Sequence, residues 1–167
     1  MVQEDESRET FTYYPGNGFS KNSVAKTQTI CLDSRKYNTV AYNIDDNNYF
    51  KLRDIAQILN GTIKTFDVKY DGATNSIDML SFYDYTSVGG ELTPGDDVTR
   101  TAFSSSAFLT LDGVPIKATC YNIDGNNYFK LRDITDALDC RVEWDDNNQL
   151  IWVVPSVPAY DDPNEAV

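Results

Sequence analysis

The sequence predicts an α+β fold in two tandem copies, each a small antiparallel sheet of about five strands (βββαββ) packed on one short helix. Three observations lead there. One segment recurs almost unchanged, apolar residues inside it fall at helical spacing, and short β-branched and aromatic runs flank it between Asp and Asn turns.

The recurrence sets the organisation, because a missed repeat misassigns a whole fold. Residues 42–55 read YNIDDNNYFKLRDI and residues 121–134 read YNIDGNNYFKLRDI, differing only at Asp46 against Gly125. Upstream, Ile30, Leu32 and Asp33 match Leu109, Leu111 and Asp112 at the same offset. Downstream, after a short deletion, Val68, Tyr70, Asp71 and Ile77 match Val142, Trp144, Asp145 and Ile151. Repeat one is thereby placed at 28–90 and repeat two at 107–155. Residues 1–27 read as a polar leader, 91–106 (ELTPGDDVTRTAFSSS) as a linker, and 156–167 as an acidic tail containing Pro.

Within repeat one, TICL and TVAYNI flank the turn DSRK, and residues 45–48 form a second turn before YFKL; Asn and Asp suit turns because they tolerate positive φ. A helix is expected over 53–60, where Leu52, Ile55, Ile58 and Leu59 share one face. Asp54 or a neighbour would cap its start, and Gly61 suits the left-handed position after its end. FDVKY and SIDML then form two strands, as RVEW and LIWVV do in the second copy. Ile55, Leu59, Ile134 and Leu138 are expected to be buried.

Composition narrows the function. Hydrophobic residues at 41% and aromatics at 13% can fill a core. Fourteen Lys and Arg against 26 Asp and Glu give a net charge of −12, which repels phosphate backbones and anionic lipid, so no nucleic-acid partner is expected. No apolar run is long enough to cross a bilayer, so no membrane insertion is expected either. The first residues, MVQEDESRET, lack the apolar stretch of an export signal, so the protein is either cytosolic or has lost its signal.

There is no histidine, which removes the commonest metal ligand and general base. Cys31, Cys120 and Cys140 form no CxxC pair; Cys120 and Cys140 would pair only in an exported protein, and Cys140 also suits a core position. The DNN clusters offer oxygen ligands, but the EF-hand pattern is not matched, and Asp45, Asn47, Asp124 and Asn126 read more simply as hairpin residues. No metal, cofactor or catalytic residue is expected.

The motif YNIDGNNYFKLRDI, followed by a helix and VEWDDNNQLIWV, resembles the copper amine oxidase N-terminal domain-like family, also called stalk domains. Both repeats carry the resemblance. It implies a five-stranded antiparallel sheet wrapped against one helix, and a place on secreted or cell-surface proteins of Gram-positive bacteria. The implied partners are other domains of the same polypeptide or other cell-surface proteins. It implies no copper chemistry, because in amine oxidases histidines of a separate domain hold the metal.

Two sets of residues are candidates for a role. Arg53 and Asp54, with Arg132 and Asp133, form a charged pair at each helix start; the expected role is structural, with Asp capping the helix and Arg reaching Asp71 or Asp145. Tyr49, Tyr70, Tyr128 and Trp144 would stack on cell-wall polysaccharide if exposed together, although alternation along YFKL sends neighbours to opposite faces. The leading expectation is a non-catalytic stalk or interaction module that positions other domains. A glycan-binding module is the alternative, and an enzyme would need a nucleophile and base that the sequence does not show.

Overall fold

The structure, a computed structural model, describes residues 20–157. The expected tail lies outside them from residue 158, as does the expected leader before residue 20. The chain runs β1 (Ser20–Val24), β2 (Lys26–Leu32), β3 (Arg35–Ile44), β4 (Asn47–Lys51), α1 (Leu52–Leu59), β5 (Phe66–Asp71), β6 (Ser76–Ser81) and β7 (Thr99–Ser104). It continues with β8 (Phe108–Leu111), β9 (Val114–Pro115), β10 (Cys120–Ile123), β11 (Asn126–Lys130), α2 (Leu131–Ala137), β12 (Arg141–Asp145) and β13 (Leu150–Val154). Strands β1 and β7 lie in the stretches read as leader and linker.

These elements correct the expected fold. Instead of two separate βββαββ sheets, the strands form one nine-stranded sheet, β1-β7-β10-β11-β4-β3-β2-β13-β12, and one four-stranded sheet, β5-β6-β8-β9. Both sheets combine strands from the two halves of the chain, and strand far outweighs helix. The reason is strand exchange. The final hairpin of each repeat leaves its own first strand and pairs in parallel with the first strand of the other: β13 adds to β2 (Ile151 opposite Ile30), and β6 adds to β8 (Ile77 opposite Leu109).

The exchange keeps the internal symmetry. At the centre β4 meets β11, its own copy, antiparallel, with Phe50 opposite Phe129. Strands β1 and β7 also pair antiparallel, with Asn22 opposite Thr101, its counterpart at the repeat offset. The sheet curls until β1 lies against β3, where the Ser23 hydroxyl donates to the Asn43 carbonyl at 2.9 Å. A pseudo-twofold axis thus passes through both self-paired ladders.

Alternation decides which core each residue enters. Phe50 and Phe129 point to one face and are fully buried with both helices, including Ile55, Leu59, Ile134 and Leu138. Tyr49 and Tyr128 point to the other, inside the curl, with Val40, Tyr42, Ile44 and Ile123. There the edge-to-face pairs repeat the symmetry: Tyr42 on Tyr128 at 5.0 Å between centroids, and Tyr121 on Tyr49 at 5.1 Å. Both faces of the central strands are buried, so the sheet lacks the one wet face usual for antiparallel strands.

The turns follow their residues. Asp45 and Asp46 (φ 52° and 67°) join β3 to β4, and Asp124 and Gly125 (φ 51° and 85°) join β10 to β11, the positive φ pair that two-residue hairpins need. Asn47 and Asn126, expected in turns, begin the following strands and hydrogen-bond back to the carbonyls of Asp45 and Asp124. Gly61 takes φ 85° after α1, as expected.

The two copies part company in two places. Strand β3 runs unbroken to Ile44, whereas its counterpart breaks after Pro115, whose ring removes a ladder donor. After β6, a loop over residues 82–98 packs back on the first half. Asp97 donates its amide to the Ala25 carbonyl at 2.8 Å, and Ala25 donates to Val98 at 2.9 Å. Gly95 lies so close that a Cβ there would meet the Lys26 backbone at 2.4 Å, which excludes any other residue.

Candidate functional site

The strand exchange builds two equivalent grooves, each walled by both halves of the chain. The larger, about 500 Å³, lies between the Lys51–Leu52–Arg53 corner, the β5–β6 hairpin and the β7 and β10–β11 segments of the second half. Tyr70, Phe103 and Asn126 are prominent in its wall. The smaller, about 150 Å³, is built from the counterparts at the repeat offset: Lys130–Leu131–Arg132, Val142 and Trp144, and Asp46–Asn48 of the first half. One duplicated motif therefore supplies both a floor to its own groove and a rim to the other.

The grooves differ in size and charge. Residues 104–106 wall the larger one. Their counterparts, residues 25–27, do not wall the smaller, being held by the 82–98 loop, where Thr27 also donates to the Gly95 carbonyl at 3.2 Å. The smaller groove sets Asp46 and Glu143 beside Lys130 and Arg132. The larger has Lys51 and Arg53 and no carboxylate in its wall.

The expected stacking residues divide cleanly. Tyr49 and Tyr128 are each 4% exposed inside the curl, so they present no ring to a ligand; burial drives both phenols well above their ordinary range. Tyr70 and Trp144 are 54% and 44% exposed, one in each groove, and each is tethered to the turn that follows. The Tyr70 hydroxyl reaches Asn75 Oδ1 at 3.4 Å and Trp144 Nε1 reaches Asp146 Oδ1 at 3.3 Å.

The expected charged pairs at the helix starts are not formed. Lys51 and Lys130 occupy the N-cap positions without a side-chain capping bond. Asp54 instead is fully buried beneath the 82–98 loop, where it accepts from the Thr39 hydroxyl and from the Leu92 amide at 2.9 Å. Burial raises its carboxyl above the ordinary range, against the lowering pull of those two bonds. Its counterpart Asp133 accepts from the Thr119 amide at 3.0 Å, because Ala118 stands where the first half has Thr39.

Arg53 turns away from Asp71 and stacks over Tyr85, 5.9 Å from the ring centroid, with Nη1 3.3 Å from the hydroxyl. Tyr85 in turn donates to Glu91 at 2.5 Å. Partial burial pushes Glu91 up, but hydrogen bonds from Tyr85, the Val88 amide and Ser87 outweigh it and hold the carboxyl at about 2. Arg132 is exposed. Asp71 and Asp145 serve their own turns, accepting from Ala73 and Asn148.

Sequence reasoning missed the Asn residues as rim groups and missed Tyr85 and Glu91 as the partners that hold Arg53. The repeat offset was the available signal for the first; nothing local marks the second, because the contact forms only when the loop folds back.

Chemically the grooves offer amides, hydroxyls, cations and an aromatic face. The three cysteines are free and buried, and burial pushes the Cys120 thiol up to about 12 and Cys140 to about 11, so neither supplies a thiolate at neutral pH. Asp54 lines neither groove. Among the described residues no cluster of three or more His, Cys, Asp or Glu is arranged to hold a metal ion, and no helix is long and apolar enough to cross a membrane. No family model, curated protein or solved structure matches the chain.

Proposed function

We propose that this chain is a non-catalytic module of a larger bacterial cell-surface protein, working as a stalk that positions neighbouring domains. The observation that carries the reading is the strand exchange: β13 completes the sheet of β2, and β6 that of β8, so the two halves form one interlocked body. A spacer must transmit position without hinging, and two cores sharing β4 and β11 give no hinge between copies. The sequence resemblance to stalk domains points the same way. The acid and thiol groups with raised pKa values, Asp54, Cys120 and Cys140, lie buried outside the groove walls.

The test is to insert the chain between a cell-wall anchor and a reporter enzyme. The reporter should be displayed at the surface with unchanged turnover, held by a segment resisting mild proteolysis. Cleavage within residues 82–130, or intrinsic turnover by the purified chain on a hydrolase substrate panel, would overturn the reading.

A second reading, binding of cell-wall glycan, is favoured by one feature: Tyr70 and Trp144 are exposed at equivalent positions of two grooves. Retention on purified peptidoglycan that is lost in Tyr70→Ala would support it, and retention unaffected by either Tyr70→Ala or Trp144→Ala would remove it.

A further inference from the structure

We infer that the larger groove is a binding site for a carboxylate-bearing saccharide, an inference that rests on the glycan-binding reading and names the ligand class it would take. Charge is the first ground. In a chain whose acids outnumber its bases 26 to 14, this wall gathers Lys51 and Arg53 and contains no Asp or Glu. Acids farther than about 8 Å are screened at physiological salt; Glu91, joined to Arg53 through the Tyr85 hydroxyl, is nearer and offsets part of the Arg53 charge, which leaves Lys51 as the main local cation.

The polar lining is the second ground. Asn122, Asn126, Asn127 and the serines at 104–106 carry groups that both donate and accept, as sugar hydroxyls require, whereas a helical peptide would need a continuous apolar stripe. The third is Tyr70, whose ring is 54% exposed and held at the groove by its bond to Asn75. An aromatic face of that kind covers the apolar C–H face of a pyranose while the amides take its edge.

Arg53 is oriented for this task by a group outside the groove. Its stacking on Tyr85, which is bonded to Glu91, fixes the guanidinium at the corner where Lys51 also stands. A sugar carboxylate at that corner would meet two cations, one of them able to bind it through a fork. The smaller groove offers the same aromatic position but adds Asp46 and Glu143, so it should not share the preference for acid.

The experiment is isothermal titration of the full chain with three probes: hexagalacturonate, the neutral hexasaccharide cellohexaose, and sodium sulfate. Hexagalacturonate should bind saturably, with cellohexaose at least about tenfold weaker, a difference of about 1.4 kcal/mol. Tyr70→Ala and Lys51→Gln should each weaken hexagalacturonate at least about tenfold, while Lys36→Gln, at an exposed cation outside both groove walls, leaves it unchanged; unfolding midpoints report that each variant is folded. Equal binding of both saccharides, lost with Tyr70, would overturn the preference for acid and leave the glycan reading standing. Sulfate competing as well as the saccharide would show a simple anion site. Binding of neither saccharide would overturn this inference, leaving the glycan reading to its peptidoglycan retention assay and the stalk reading to its display assay.

Discussion

The two halves of the molecule carry the same motif, yet the same aspartate behaves differently in each. In the first half Asp54 is sealed under a loop and satisfied by a hydroxyl and an amide. In the second, Asp133 is half-buried and takes the Thr119 amide, because Ala118 has no hydroxyl to donate. One side chain, Thr39, lets β3 stay continuous; where it is missing the backbone serves the acid instead, and the strand breaks at the point Pro115 has already weakened. Identical helix starts, LRDI in both copies, therefore need not have identical surroundings, and the difference originates outside the repeated motif.

The largest expected effect breaks the symmetry at its axis. Phe50→Ala and Phe129→Ala each remove a fully buried ring from the shared core and should each cost about 3–5 kcal/mol, in a single unfolding transition seen by both fluorescence and circular dichroism. Two separate transitions would mean that the halves are independent after all.

The aspartates come next. Asp54→Ala leaves the Thr39 hydroxyl and the Leu92 amide without an acceptor inside the protein, and should cost about 2–4 kcal/mol in urea unfolding. Asp133→Ala orphans one amide nearer to water and should cost about 1 kcal/mol. Equal losses would remove the proposed difference.

Acid sharpens the comparison. Glu91, found only on the loop of the first half, has a folded-state pKa of about 2 against an ordinary 4.5. A depressed carboxyl contributes stability fully above its unfolded value and loses it as pH falls, so this contribution should fade between about pH 4.5 and 2. Asp54 works in the opposite sense, since burial raises it and protonation relieves its cost. Glu91→Gln should flatten the acid limb of the stability profile, and a profile unchanged by that substitution would show the loop contact to be idle.

The smallest effect concerns the arginines. Arg53→Ala loses the stacking on Tyr85 and should cost about 1 kcal/mol, whereas Arg132→Ala on the exposed surface should stay within about 0.5 kcal/mol. Thermal unfolding of the pair of variants measures the difference directly.

These contrasts also mark what the sequence could reveal. The helix position, the left-handed Gly61, the turns and the buried Ile55, Leu59, Ile134 and Leu138 were all legible, because each depends on residues close in the chain. The partner of each terminal hairpin was not. Ile77 can pair beside Leu109 or beside Ile30 with the same apolar contact, so pattern alone leaves strand exchange undecided. The grooves followed the same limit: Tyr70 and Trp144 were visible as aromatics, but their walls come from the other half of the chain. Arg53 and Asp54 were misread because their partners, Tyr85 and Leu92, sit on a loop that straddles the expected boundary at residue 90 and whose return to the first half no local pattern marks.

The parallel pairing of Ile30 with Ile151 has a consequence in time as well as in space. Such distant contacts carry a large loop-closure entropy before they return any stabilisation, which slows folding of β-rich chains to the range of about milliseconds to seconds. On the ribosome, β2 must wait for β13, the last strand described, before its edge is covered. Throughout synthesis that edge is an open template for a neighbouring nascent chain, and a second copy's β13 would fit it as well as its own, which makes exchange between molecules the misassembly to which this architecture is most exposed.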